Sequence, residues 1–224
     1  MRGLFVTGTD TGAGKSVLAA AICAGLRARG ETVAAFKPVI TGLDEPPAEW
    51  PHDDELLASA AGGRQRPEQV APYRFGPPLS PHYAAELAGT TIEPARLVEA
   101  ARAAAGDAGV LVAEGVGGLL VPITPGYLVR DLAIDLGLPV VIAARTGLGT
   151  INHSLLTVEA ARTAGLRVAG VVMTPWPATP EPIEVSNRDT VERLAGVSVS
   201  GLAPTDPGSL AGAGSDLPLG EWLP

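Results

Sequence analysis

The chain is short of lysine, cysteine, histidine and long apolar runs, and each shortage removes a class of function. Of its 16 basic residues, all but Lys15 and Lys37 are arginine. An arginine-rich coding bias explains the arginines, but not why two lysines remain. A compact ammonium and a planar guanidinium are not interchangeable at a crowded phosphate site. Cys23 is the single cysteine, which excludes an intrachain disulfide framework and a cysteine-based zinc site. It falls in an apolar helical stretch and reads as a small buried hydrophobe. His52, His82 and His153 have no metal-ligand spacing. No Gly-x-Ser-x-Gly elbow is present either, so covalent catalysis is not indicated.

No apolar run approaches the roughly 20 residues that span a bilayer, and no basic stretch precedes an apolar one at the N-terminus. A cytoplasmic protein without a membrane partner is expected. The net charge of −8 comes with no basic stripe to replace phosphate counterions, which argues against nucleic-acid binding. A small anionic ligand needs only a local cluster of donors and stays open. With 46% hydrophobic and 18% charged residues, the 224-residue chain has the makings of one packed domain.

What is present alternates. Short apolar runs at 4–7, 32–36, 110–113, 140–144, 168–173 and 197–202 read as strands. Helical spacing at 15–29, 53–61, 93–105, 129–136, 150–164 and 187–194 fills the intervals, with a helical patch after Pro81. Segment 64–91 is otherwise irregular and Pro-rich. In 205–224 only Trp222 and Leu223 suggest an anchor. Continuous apolar strands separated by helices predict a single α/β domain over residues 1–224. Its sheet is expected to be doubly wound and mostly parallel, with helices on both faces. Ligands bind such sheets beyond the carboxyl ends of the strands.

After the first strand comes GTDTGAGKS, residues 8–16. The spacing departs from a strict phosphate loop because the first glycine lies one position early, yet the working parts are there. Gly12 and Gly14 let backbone amides approach phosphate oxygens, and the next helix points its positive end at them. Lys15 can reach the terminal phosphates and the Ser16 hydroxyl can ligate Mg²⁺. These features predict a domain of the P-loop NTPase type that uses a nucleoside triphosphate. Lys37 follows the second strand and is expected beside this loop. Glu114 ends the third strand and suits a Mg²⁺ ligand in a Walker-B arrangement. Asp53 and Asp54 offer another carboxylate or, equally, a helix cap. The turn before residue 150 could hold a carboxylate at a helix N-terminus, or Thr150 could simply cap that helix.

Together, segments 8–16, 37–42 (KPVITG), 80–82 (SPH), 114–122 (EGVGGLLVP) and 147–153 (GLGTINH), with Asp53, Asp54, Asn187 and Arg188, resemble dethiobiotin synthetase, an ATP-dependent family of biotin synthesis. The resemblance spans roughly residues 4–204. It implies the same α/β domain, usually as a homodimer. It also implies a reaction in which 7,8-diaminononanoate and CO₂ form a carbamate that ATP phosphorylates. The second amine then displaces phosphate and closes a ureido ring.

By resemblance, Lys15, Lys37 and Thr11 are catalytic. The nucleotide is expected to meet Gly12, Ala13, Gly14, Lys15, Ser16 and Val17 in the loop. It would further meet Asp54, Glu114, Gly115, Val116 and Gly117, then Thr174, Pro175 and Pro204. Ser16, Asp54 and Glu114 are the expected Mg²⁺ ligands, with Asp53 as the alternative to Asp54. Thr41 binds substrate, and Gly149, Thr150 and Asn152 of a second copy hold its carboxylate.

Ser16 replaces a more usual threonine and keeps the hydroxyl. Thr174 stands where many members have an asparagine that reads adenine, and it lacks the paired donor and acceptor of an amide. Relaxed base selectivity is therefore expected. A ParA/MinD-like ATPase switch is the alternative from another class, but the basic or amphipathic surface it needs is not evident. A non-catalytic nucleotide-binding module would leave Lys37 and Glu114 without a task.

Overall fold

The computed structural model describes residues 1–47, 49–106 and 108–224. Strand β1 (Gly3–Gly8) leads into helix α1 (Lys15–Ala28), then β2 (Val33–Phe36), β3 (Val39–Ile40) and α2 (Asp53–Ala60). A short α3 (Pro67–Val70), β4 (Tyr73–Arg74), α4 (Pro81–Leu87) and α5 (Pro94–Ala105) follow. Next come β5 (Val110–Gly118), the small hairpin β6 (Pro122–Thr124) and β7 (Tyr127–Leu128), α6 (Val129–Leu136) and β8 (Val140–Ala144). The chain ends with α7 (Thr150–Thr163), β9 (Val168–Met173), α8 (Pro182–Ala195), β10 (Val199–Gly201), α9 (Leu210–Ser215) and α10 (Leu219–Trp222).

Six strands form one sheet in the order β10-β9-β8-β1-β5-β2, and every pairing is parallel. From β1 the chain moves out to the β2 edge, returns through β5, and crosses to β8 on the far side. The order therefore reverses around β1, which opens a crevice beyond its carboxyl end. Alternating side chains divide the core between the two faces. Phe5 packs with Phe36, Leu111 and Ile142 on one face. Leu4 and Val6 pack with Val112, Val141, Leu18 and Ile22 on the other. Cys23, on α1, is fully buried, and burial pushes its thiol pKa up.

Some elements differ from their sequence pattern. β5 runs on past residue 113, because Gly118 still pairs with Gly8 of β1. Glu114 thus lies inside the strand rather than at its tip. α8 begins at Pro182, earlier than residue 187. Proline occupies its first turn, and the Glu181 amide donates to Glu184 Oε2 at 2.8 Å. Segment 64–91 holds α3 and β4, and β4 pairs in parallel with β3.

The C-terminal segment is built in rather than merely anchored. α9 lies backbone to backbone on α1, where a Cβ added to Gly214 would fall 1.8 Å from the Ala21 carbonyl oxygen. Leu217, Leu219 and the 1%-exposed Trp222 join the core under α1. Among the described residues, no helix is long and apolar enough to cross a membrane.

Candidate active site

The carboxyl ends of the parallel strands deliver the polar side chains to one crevice. β1 ends in the 8–16 loop, where Gly12 (φ 72°) and Gly14 (φ 83°) adopt left-handed conformations that other residues rarely take. Asp10 Oδ1 accepts from the Thr11 amide at 2.7 Å and stiffens the turn. Lys15 opens α1 and folds back so that Nζ donates to the Asp10 carbonyl at 3.0 Å. A cavity of about 560 Å³ lies over this loop. Its walls include Thr11, Gly12, Lys15, Ser16, Lys37, Thr41, Asp53 and Glu114, so most of the polar positions singled out in the sequence meet there.

Lys37 occupies the centre. Its Nζ lies 2.6 Å from Glu114 Oε1 and 2.7 Å from Asp53 Oδ2. Burial opposes its ammonium, but the two carboxylates outweigh burial and hold its pKa above the usual lysine value. Burial is also the largest influence on Asp53, yet Lys37 overcomes it and lowers the carboxyl pKa. Glu114 is fully buried, and burial raises its pKa despite the opposing Lys37. For Lys15, burial dominates and lowers the pKa; Glu114 works against that shift, and Lys37 adds to it. Two carboxylates thus hold one ammonium, with a second, more easily deprotonated ammonium beside them.

Ser16 Oγ donates to Glu114 Oε1 at 2.8 Å, while Glu114 Oε2 is buried without a partner. A hydroxyl, two carboxylates and an orphaned acceptor suit Mg²⁺, which usually takes one or two carboxylates plus waters and phosphate oxygens. Among the described residues, no cluster of three or more His, Cys, Asp or Glu could cage a metal alone. The donor set therefore fits a metal that arrives with a phosphate chain.

The aspartate doublet needs correction. Asp54, expected as the metal ligand, is completely buried and ion-paired with Arg74 on β4, outside the cavity. Asp53 faces Lys37. Successive helical residues point about 100° apart, so both cannot face one site. Ala13 is fully buried and can offer only its backbone. Val116 and Gly117 line the cavity, whereas Gly115 packs against Val129 and Phe5. Val17 is half-buried with the core under α1.

Thr174 is 6% exposed, and its Cγ2 would lie 2.4 Å from a Cβ on Gly14, so it buttresses the loop. Pro175 and Pro204 are exposed and do not line this cavity. Trp176 lies beyond them, packed on Gly201 with the Arg188 guanidinium 5.4 Å from its ring. Gly149, Thr150 and Asn152 also lie outside the cavity of their own chain. Thr150 does not cap α7: its buried hydroxyl donates to the Arg145 carbonyl at 2.6 Å, and Gly149 occupies the N-cap. What that turn can offer a ligand is backbone amides.

Arg145 is a site-bordering residue that none of the sequence motifs includes. Arg145 follows β8 directly and donates through Nη2 to the Thr11 carbonyl at 3.1 Å. Its place just after a strand was the available signal. Asn187 on α8 donates to the carbonyls of Thr146 and Gly147 at 2.9 and 3.2 Å, fixing the turn before α7. Nothing in its local sequence marks that role.

A family model described as an AAA domain matches residues 2–210. An ATP-dependent dethiobiotin synthetase BioD of Anaeromyxobacter dehalogenans (strain 2CP-C) is 44% identical over 207 residues, 92% of each chain. The protein of that name from Bacillus subtilis (strain 168) is 35% identical, over 91% of this chain and 87% of its own. Among solved structures, a ParA family ATPase from Chlorobium tepidum TLS superposes with a TM-score of 0.56 at 13% identity, covering 96% of this chain and 90% of that one. The MinC:MinD cell division protein complex of Aquifex aeolicus gives a TM-score of 0.56 at 12% identity, over 96% and 86%. The last two likenesses show the fold alone.

Proposed function

Because the chain belongs to the ATP-dependent dethiobiotin synthetase family, we propose that its crevice phosphorylates the carbamate of 7,8-diaminononanoate with ATP and closes the ureido ring. The observation that carries this reading is Lys37 held by Asp53 and Glu114 beside the phosphate loop. The reaction needs cationic charge where phosphate meets carbamate, and no enzyme nucleophile.

The loop amides around Gly12 and Gly14, with Lys15, bind the triphosphate and orient its terminal phosphorus. Lys37 lines the same cavity as the loop and Thr41, and its ammonium neutralises the carbamate and the charge spreading over the transferred phosphoryl group. Thr11 and Thr41 supply hydrogen bonds to phosphate and substrate. Ser16, Asp53 and Glu114 would hold Mg²⁺, with the unpartnered Glu114 Oε2 available as one acceptor. The metal would supply charge neutralisation at the phosphate chain. Catalysis is then positioning and electrostatic stabilisation throughout.

A second cavity of about 580 Å³ adjoins the first through Thr41 and Asp53, which supports room for a second substrate. We further infer a cytoplasmic homodimer in which Gly149, Thr150 and Asn152 of one copy serve the substrate carboxylate of the other. The exposed turn, with Leu148 93% exposed, supports this. Thr174 in place of an amide supports acceptance of several triphosphates.

Phosphate release from ATP, with diaminononanoate and bicarbonate omitted in turn, tests the synthetase reading. Release is expected to need both, and turnover that ignores the diamine would defeat it. Parallel turnover with ATP, CTP and GTP tests the base. Comparable kcat/KM values are expected, and an ATP preference of about a hundredfold or more, the scale on which a polar reader discriminates, would sink relaxed selectivity.

A further inference from the structure

Asp54 and Arg74 form an ion pair that the reaction itself does not use. Asp54 is 0% exposed, and Arg74, with 29% of its side chain exposed, is its ion-pair partner. The pair joins two elements that frame the site from different sides. Asp54 sits in the first turn of α2, next to Asp53. Arg74 sits on β4 opposite Ile40 of β3, one residue before Thr41.

A buried carboxylate stripped of its cation is strongly disfavoured, so the pair restrains how the first turn of α2 can rotate. With Asp54 turned toward β4, the 100° step per residue turns Asp53 toward Lys37 and Ser16. Two adjacent carboxylates at one helix start are otherwise chemically equivalent candidates for a cation. The sequence gives no basis for choosing between them; the Arg74 guanidinium against buried Asp54 does.

We propose that Arg74 is a positioning residue for the metal–triphosphate site, burying Asp54 so that Asp53 alone is presented to the cation. This rests on the synthetase reading for what the site does, but not for how the doublet is sorted. Without Arg74, the Asp54 carboxylate must swing toward water or take up a proton. Either movement disturbs the helix start and the neighbouring Asp53. An apolar residue at position 54 is buried on its own account and needs no cation.

The test is Mn²⁺ affinity, read from the free-ion electron paramagnetic resonance signal in the presence of a non-hydrolysable ATP analogue. Arg74→Met should weaken Mn²⁺ binding roughly ten- to a hundredfold, the range seen when a residue that orients a metal ligand is removed. Arg74→Lys should restore part of it. The double variant Arg74→Met/Asp54→Leu should return to within about threefold of the wild type, since removing both charges leaves no buried charge unpaired. Asp53→Asn should weaken binding in every background.

A purely structural pair would lower the melting temperature of Arg74→Met and leave Mn²⁺ affinity unchanged, which would overturn the proposal. A double variant that binds Mn²⁺ as poorly as Arg74→Met would make Asp54 a ligand and overturn it too. So would a wild-type chain that binds no Mn²⁺ with the analogue. Diamine-dependent phosphate release on the same samples separates the two readings. Its absence in the wild type strikes the synthetase function, while the Mn²⁺ pattern still decides Arg74.

Discussion

In the proposed reaction Lys37 carries the chemistry, and its two carboxylate partners give a reason for a lysine there in an otherwise arginine-rich chain. A point charge fits between Asp53 and Glu114 at 2.7 and 2.6 Å, where a planar guanidinium would have to displace one of them. Lys37→Ala is expected to lower kcat about a hundred- to a thousandfold, the scale for losing one donor at developing charge. Its KM for ATP should change little, because the loop and Lys15 hold the nucleotide. Steady-state kinetics check this, and an unchanged kcat would remove Lys37 from the mechanism.

Lys15 gives a pH signature. Burial lowers its folded pKa from 10.5, so as pH rises it gives up its proton earlier than an ordinary lysine does. Since kcat/KM reports the free enzyme, kcat/KM for ATP should fall as pH rises toward 10.5. Lys15→Arg, whose guanidinium does not titrate there, should flatten that limb. A limb unchanged in Lys15→Arg would assign it to another group. Lys15 and Lys37 were legible in sequence because strand ends in a parallel sheet converge on one crevice; Glu114 was legible because it closes the apolar run 110–113, although β5 continues to Gly118. The Asp53/Asp54 choice was not, because it depends on which side of α2 meets β4, a contact between segments 20 residues apart. Arg145, directly after β8, obeys the same strand-end rule.

Among the elements, the sheet strands and long helices followed from apolar periodicity, and what escaped was short. α9 and α10 carry too few apolar residues for a periodic signal, and their packing depends on glycine. Gly25 and Gly214 let α1 and α9 touch through their backbones, a reason for glycine visible only once the helices are docked. Gly214→Val is expected to lower the melting temperature by several degrees, as forcing bulk between packed backbones costs about 1–3 kcal/mol or more. Trp222→Ala should cost about 3–5 kcal/mol by emptying the core under α1. Denaturant unfolding checks both. An unchanged midpoint for Trp222→Ala would mean that the C-terminal segment does not contribute to the core. α3 and β4 were hidden for a different reason: β4 is two residues long, and it is a strand only because β3 lies beside it.

At the level of the whole molecule, the fold is shared with ParA and MinD proteins at 12–13% identity and does not choose between a synthetase and a switch. The choice comes from the side chains at the strand ends and from membership of the dethiobiotin synthetase family, at 35–44% identity over nearly the full chain. The parallel sheet was readable because each strand is a continuous apolar run. How residues 205–224 pack was not, since they are rich in Gly, Pro and Ser. The most direct measurement is ¹³C NMR of the protein with diaminononanoate, ¹³C-bicarbonate, Mg²⁺ and ATP, alongside phosphate release. The expected result is one labelled ureido carbon formed per phosphate released, with neither appearing when the diamine is omitted. Phosphate release without a labelled ureido product would contradict it.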